Sequence, residues 1–137
     1  MATPRREGSV IKRIGMFVVA LVAGYAVMIV GLVLSQEGLF GGISYDTTPR
    51  PQLAISGLLS VTSAVAGGAV AALIFGAPFF PPVIAMCGLV VIDTSLLIAT
   101  GRLEGPLWFD LSSSAALLAG IVFGAFLVQR RRHARAR

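Results

Sequence analysis

The sequence predicts an all-α polytopic membrane protein, an antiparallel bundle of four transmembrane helices with both termini in the cytoplasm. Three observations carry that reading. Hydrophobic residues make up 56% of the chain and charged residues 12%, whereas soluble domains are about 25% charged. Four apolar runs, at about 14–34, 53–76, 83–99 and 109–128, are each long enough to cross a hydrocarbon core of about 30 Å as a helix. The basic residues collect outside the first and last runs, as Arg5, Arg6, Lys12 and Arg13 and as Arg130, Arg131, Arg132, Arg135 and Arg137. The runs use most of the 137 residues, so a single transmembrane domain, 1–137, is expected, with short basic tails at 1–13 and 129–137.

Backbone polar groups in lipid must be satisfied within the segment, which makes spans of this length helices. The strands of a membrane barrel would alternate in polarity, and these runs do not. The first run, "IGMFVVALVAGYAVMIVGLVL", is longer than the apolar region of a secretory signal, about 7–15 residues. Only "VLS" offers a weak small-residue cleavage site, so a retained helix is expected. The connector "SQEGLFGGISYDTTPRPQ" carries Glu37, Asp46 and Arg50, with turn-forming Gly38, Gly41 and Gly42.

Helix two places Ser56, Ser60, Ala64, Gly68, Ala72 and Gly76 every four residues along one side. Small residues let helix backbones approach closely, and in lipid that packing drives association. Helix four repeats the pattern in Ala116, Gly120 and Gly124. Packing inside the chain and packing between copies would both use such faces. The turn "APFFPP" has no charge, and its three prolines end helix two and start helix three in a tight hairpin. The last connector, "TGRLEGPLW", carries Arg102 and Glu104. Both long connectors are poor in positive charge beside the termini, which puts the termini inside and residues 35–52 and 100–108 outside. Trp108, at the outer end of helix four, suits the headgroup layer as an interface anchor. Asp110 is expected to cap the positive end of helix four, with Ser112, Ser113 and Ser114 in its first turns.

A formal charge of +5 and an isoelectric point near 10.7 would suggest nucleic acid if the basic residues lay on one folded face. They lie at the two ends instead, so no nucleic acid is expected. The expected partners are the lipid bilayer, with anionic headgroups at the basic tails, and a second copy or larger membrane-protein complex at the small-residue faces. The single cysteine, Cys87, lies in an apolar run, and the single histidine, His133, lies in the basic tail. There is neither a disulfide partner nor a metal-ligand spacing. No nucleotide loop, zinc motif or nucleophile elbow is present, so no cofactor, no metal, no catalytic residue and no enzyme activity are expected.

Asp93 stands apart. It interrupts "VVIDTSLLIAT", where an ionised acid costs at least about 2.5 kcal/mol and commonly faces a bundle interior or an ion path. No Lys or Arg stands in any run, and Arg102 lies nine residues further on, about 13 Å along a helix. Asp93 is therefore expected to be protonated, hydrogen-bonded to neutral groups, or open to water. Counted from the cytoplasmic side, Tyr25 and Asp93 lie about 16 and 15 Å along their axes, and Ser63 about 20 Å. The expectation is a buried polar cluster of Asp93, Thr94, Ser95, Tyr25 and Ser63.

From "AGGAVAALIFG" to "GPLWF" the second half resembles a group of short, uncharacterised bacterial four-helix inner-membrane proteins. The resemblance rests on Gly67 and Gly68 in helix two and on Pro106 and Trp108 before helix four. The basic cytoplasmic turn of that group is replaced here by "GAPFFPP". The resemblance implies a fold and a multi-pass place in the bacterial inner membrane, and no activity. The absence of asparagine and the ten arginines against one lysine match a GC-rich bacterial genome. Two functions fit: an accessory or scaffold subunit packing through its small-residue faces, or a small carrier or channel in which Asp93 handles a proton or cation.

Overall fold

The computed structural model describes the backbone of residues 4–76, 78–102 and 105–135, and side chains within 9–134 of that range. Glu104 and Arg137, and the side chains of Arg5, Arg6 and Arg135, lie outside the described residues. The chain forms four helices, α1 (Pro4–Val33), α2 (Arg50–Phe75), α3 (Phe80–Thr100) and α4 (Leu107–Arg135), with a π-helical turn, Leu34–Gly38, continuing α1. All four are long and apolar enough to cross a membrane, and outward-facing Val22, Leu58, Ile84, Ile92, Val122 and Phe126 give each helix an exposed apolar surface. On a soluble monomer so much apolar surface would be unusual.

Helices α1 and α4 run further into the basic segments than the apolar runs do. Hydropathy marks only the stretch suited to hydrocarbon, whereas Arg and Lys are good helix formers, so the helix continues past it. The ends are set by glycine and proline. Gly76 closes α2 at φ 83° with its N–H on the Ala72 carbonyl at 3.2 Å. Gly101 closes α3 at φ 66°, and Arg102 N–H donates to the Leu97 carbonyl at 3.1 Å. A positive φ is cheap only for glycine. Proline stands in the first turn of α2 and of α3, where a missing N–H costs nothing.

Helix α2 is the centre, packed between α1 and α4. The line Ser56, Ala64, Gly68, Ala72 is buried. Its middle faces α4: a Cβ on Gly68 would strike the Ile121 carbonyl, one on Gly124 would strike the Val65 carbonyl, and one on Gly120 would lie 3.0 Å from Ala64 Cβ. A second small-residue line faces α1. A Cβ on Gly67 would lie 2.6 Å from the Gly24 carbonyl, one on Gly24 2.8 Å from Ala71 Cβ, and one on Gly31 would strike the Ser63 hydroxyl. The Gly67–Gly68 pair thus serves one partner each. Gly76, on the expected line, is a helix cap, and Ser60 is half-buried.

Helix α3 joins the others less closely. Its buried residues, Pro82, Val83, Met86 and Val90, all belong to its first half, where Met86 packs near Gly24. From Val91 to Thr100 every residue but the half-buried Thr94 is exposed. The second half of α3 leaves the bundle, and a cavity opens there.

Candidate functional site

The cavity holds about 610 Å³ and draws walls from all four helices. Tyr25, Met28, Ile29 and Leu32 come from α1, Ser56, Ser60 and Val61 from α2, Val90, Asp93, Thr94 and Leu97 from α3, and Asp110, Ser112, Ser113, Ser114 and Leu117 from α4. Gln36 enters from the π-helical turn and Ile43 from the long connector. A π-turn widens the helix by one residue, and such turns recur at functional sites; here it carries Gln36 to the cavity wall. Trp108, Phe109 and Arg102 stand at the end nearest the long connectors.

One hydrogen bond registers α3 against α4. The hydroxyls of Thr94 and Ser114 meet at 2.7 Å. Each also lies within reach of its own helix, Thr94 of the Val90 carbonyl at 2.9 Å and Ser114 of the Asp110 carbonyl at 2.9 Å. Each hydroxyl has one proton, so one of the two donates across the helices while the other donates along its own. Asp93 precedes Thr94, and Asp110 stands one turn before Ser114. The two carboxylates therefore lie on neighbouring helices about 7 Å apart along the axes.

The expected five-residue cluster does not form. Tyr25 and Asp93 do line one cavity, with Asp93 close enough for its charge to act on the Tyr25 hydroxyl. Thr94 lines it too but bonds to Ser114. Ser63 faces Gly31 of α1 and donates to the Leu59 carbonyl at 2.9 Å. Ser95 is exposed and donates to the Val91 carbonyl at 2.7 Å. Depth alone placed these residues together; the rotation of each helix about its axis separates them. Asp93 itself is exposed to the cavity, without a hydrogen bond or ion pair among the described residues.

Asp110 stands in the first turn of α4, where its charge suits the positive end, but makes no capping hydrogen bond among the described residues. The helix begins at Leu107, so Asp110 is its fourth residue, past the positions from which a side chain turns back to the free amides of the first turn. Its Oδ2 is buried and has no hydrogen-bond partner among the described residues. The readable signal for it was "WFDLSSS", in which Asp110, Ser113 and Ser114 fall on one face of a helix. Trp108 is exposed. Its ring meets Tyr45 edge-on at 5.8 Å, Tyr45 reaches Phe109 at 5.2 Å, and a Cβ on Gly105 would lie 2.8 Å from Tyr45 Cβ. The long connector is thus pinned beside the cavity by Tyr45. Among the described residues no group of three or more His, Cys, Asp or Glu could hold a metal ion.

No family model, no curated protein and no solved structure matches the chain.

Proposed function

We propose that the chain is a small carrier of the bacterial inner membrane, an antiparallel four-helix bundle with both termini in the cytoplasm, which binds a cation in its central cavity with Asp93 as the counter-charge. The carrying observation is the cavity at the departure of α3: a carboxylate with no partner among the described residues faces space that all four helices line. A charge at that depth without a partner is costly, and a bound cation would offset the cost. The contact series supports the antiparallel arrangement, since Gly24 meets Ala71 while Gly31 meets Ser63. The charge pattern supports the orientation, since Lys12 and Arg13 precede the first span and Arg130 to Arg132 follow the fourth, which puts them on one side of an antiparallel four-span bundle, with the connectors poor in positive charge on the other. The resemblance to short bacterial four-helix proteins accords with this location.

The accessory or scaffold reading has less support, because the small-residue faces it would use are filled inside the chain by α1 and α4. The test is proteoliposome flux of protons, sodium and potassium, each followed with an enclosed indicator dye, and of radiolabelled 2-phenylethylammonium. Wild type should carry at least one of them or compete for its passage, and Asp93→Asn should lose that flux while remaining folded. An Asp93→Asn protein that carries as wild type does, or a wild type inert to every cation offered, would favour the accessory reading.

A further inference from the structure

We infer that the cavity binds an organic ammonium ion with an apolar body, held by Asp93 and Asp110 together; this rests on the reading of the cavity as a cation site. Its size is the first argument. About 610 Å³ exceeds what one inorganic ion fills and falls in the range of small-molecule sites, about 300–1,000 Å³. The donor set is the second. An inorganic cation is held by converging oxygen ligands, whereas here hydroxyls and two carboxylates share the walls with Met28, Ile29, Leu32, Val61, Val90 and Leu117. Such walls would bury a hydrocarbon body. The third is the pair of acids on the cavity wall, Asp93 and Asp110. An ammonium N–H is a donor whose charge suits a carboxylate.

The two acids divide the work by position. Asp93 is exposed in the cavity with Tyr25 near its level, and Asp110 lies nearer the long connectors, where Trp108 and Phe109 also border the space. Aromatic faces beside a carboxylate favour an organic cation through the ring quadrupole. Arg102 borders the same end; one guanidinium against two carboxylates leaves the cavity a net negative site, and its place just beyond the C-cap of α3 keeps it about 13 Å along the axis from Asp93.

Trp108 is the only tryptophan in the chain and lines the cavity, so its fluorescence reports occupancy directly. The purified full chain in mild detergent is titrated at pH 7 with 2-phenylethylammonium, with neutral 2-phenylethanol and with sodium chloride. The expected result is a saturable Trp108 change with 2-phenylethylammonium. Its affinity should exceed that for 2-phenylethanol or sodium at least tenfold, and Asp93→Asn and Asp110→Asn should each lower it at least tenfold. Equal binding of 2-phenylethanol would overturn the inference, because the site would then select no charge. Unchanged affinity in a folded Asp110→Asn protein would overturn the pairing of the two acids. Should Asp110→Asn fail to fold, the comparison of the three probes on wild type decides alone. Binding of sodium as tight as that of 2-phenylethylammonium, and lost in Asp93→Asn, would sink the organic ligand and leave the cation carrier standing. Absence of any Asp93-dependent response, with flux also absent, would remove both.

Discussion

Gly68→Ala adds a single carbon where α2 crosses α4. Besides striking the Ile121 carbonyl oxygen, the new Cβ would lie 2.8 Å from the Ile121 carbonyl carbon and 2.9 Å from its Cα, where ordinary contacts begin at 3.4 Å. The obstacle is backbone on both sides, so no rotamer change relieves it, and the helices must part by roughly half an ångström or more. Overpacking of this kind costs about 1–3 kcal/mol. Removing a glycine from a helix interior works in the opposite direction, by about 1 kcal/mol. Gly88→Ala isolates the second effect, since a Cβ there meets nothing within 4 Å. The difference between the two variants should therefore be about 1–3 kcal/mol, with Gly68→Ala the less stable. Equilibrium unfolding by SDS in mixed micelles, followed by circular dichroism, measures it. A Gly68→Ala protein as stable as Gly88→Ala would refute the claim that this crossing is at backbone contact. Gly68→Leu, which cannot be accommodated by so small a shift, should fail to form the bundle.

A double-mutant cycle on Thr94→Val and Ser114→Ala should give a coupling of about 0.6 kcal/mol and no more than about 1.7, the mean and maximum for hydrogen bonds between membrane helices; additive effects in the same SDS titration would deny the bond. Tyr45→Ala should speed hydrogen exchange of the backbone amides of residues 41–48 and leave those of α2 unchanged, because it removes the ring that ties the connector to Gly105, Trp108 and Phe109; equal exchange in both proteins would show the connector held otherwise. A fluorescent protein fused after the last residue should mature and glow, as it does only in the cytoplasm, and a phosphatase fused at Asp46 should be active; the reverse pattern would invert the proposed orientation.

Much was legible in the chain alone. Four spans, their order and the glycines and prolines that bound α2 and α3 follow from hydropathy and local backbone chemistry: whether a run of twenty apolar residues suits hydrocarbon does not depend on its neighbours. The small-residue line of α2 was legible for the same reason, as a period-four pattern on one helix. Its second line, Ser63, Gly67 and Ala71, was harder to see, because it needs α1 to supply Gly24 and Gly31 at the matching levels.

The polar site divides in the same way. Asp93 announces itself by its cost in lipid, and depth arithmetic placed Tyr25 and Thr94 near its level. What sequence could not supply is the rotation of each helix about its axis and the distance between axes. Rotation turns Ser63 toward Gly31 and Ser95 outward, and brings Ser114 to Thr94. The distance between axes follows from side chains at every crossing at once: glycines bring α1 and α4 onto α2, while α3 has no such seam beyond Val90 and stands off. The sequence thus determined that the protein is four apolar helices with one conspicuous acid. Only the tertiary structure decided that the acid faces a cavity with a second carboxylate on its wall, because a cavity is the place where packing between elements stops.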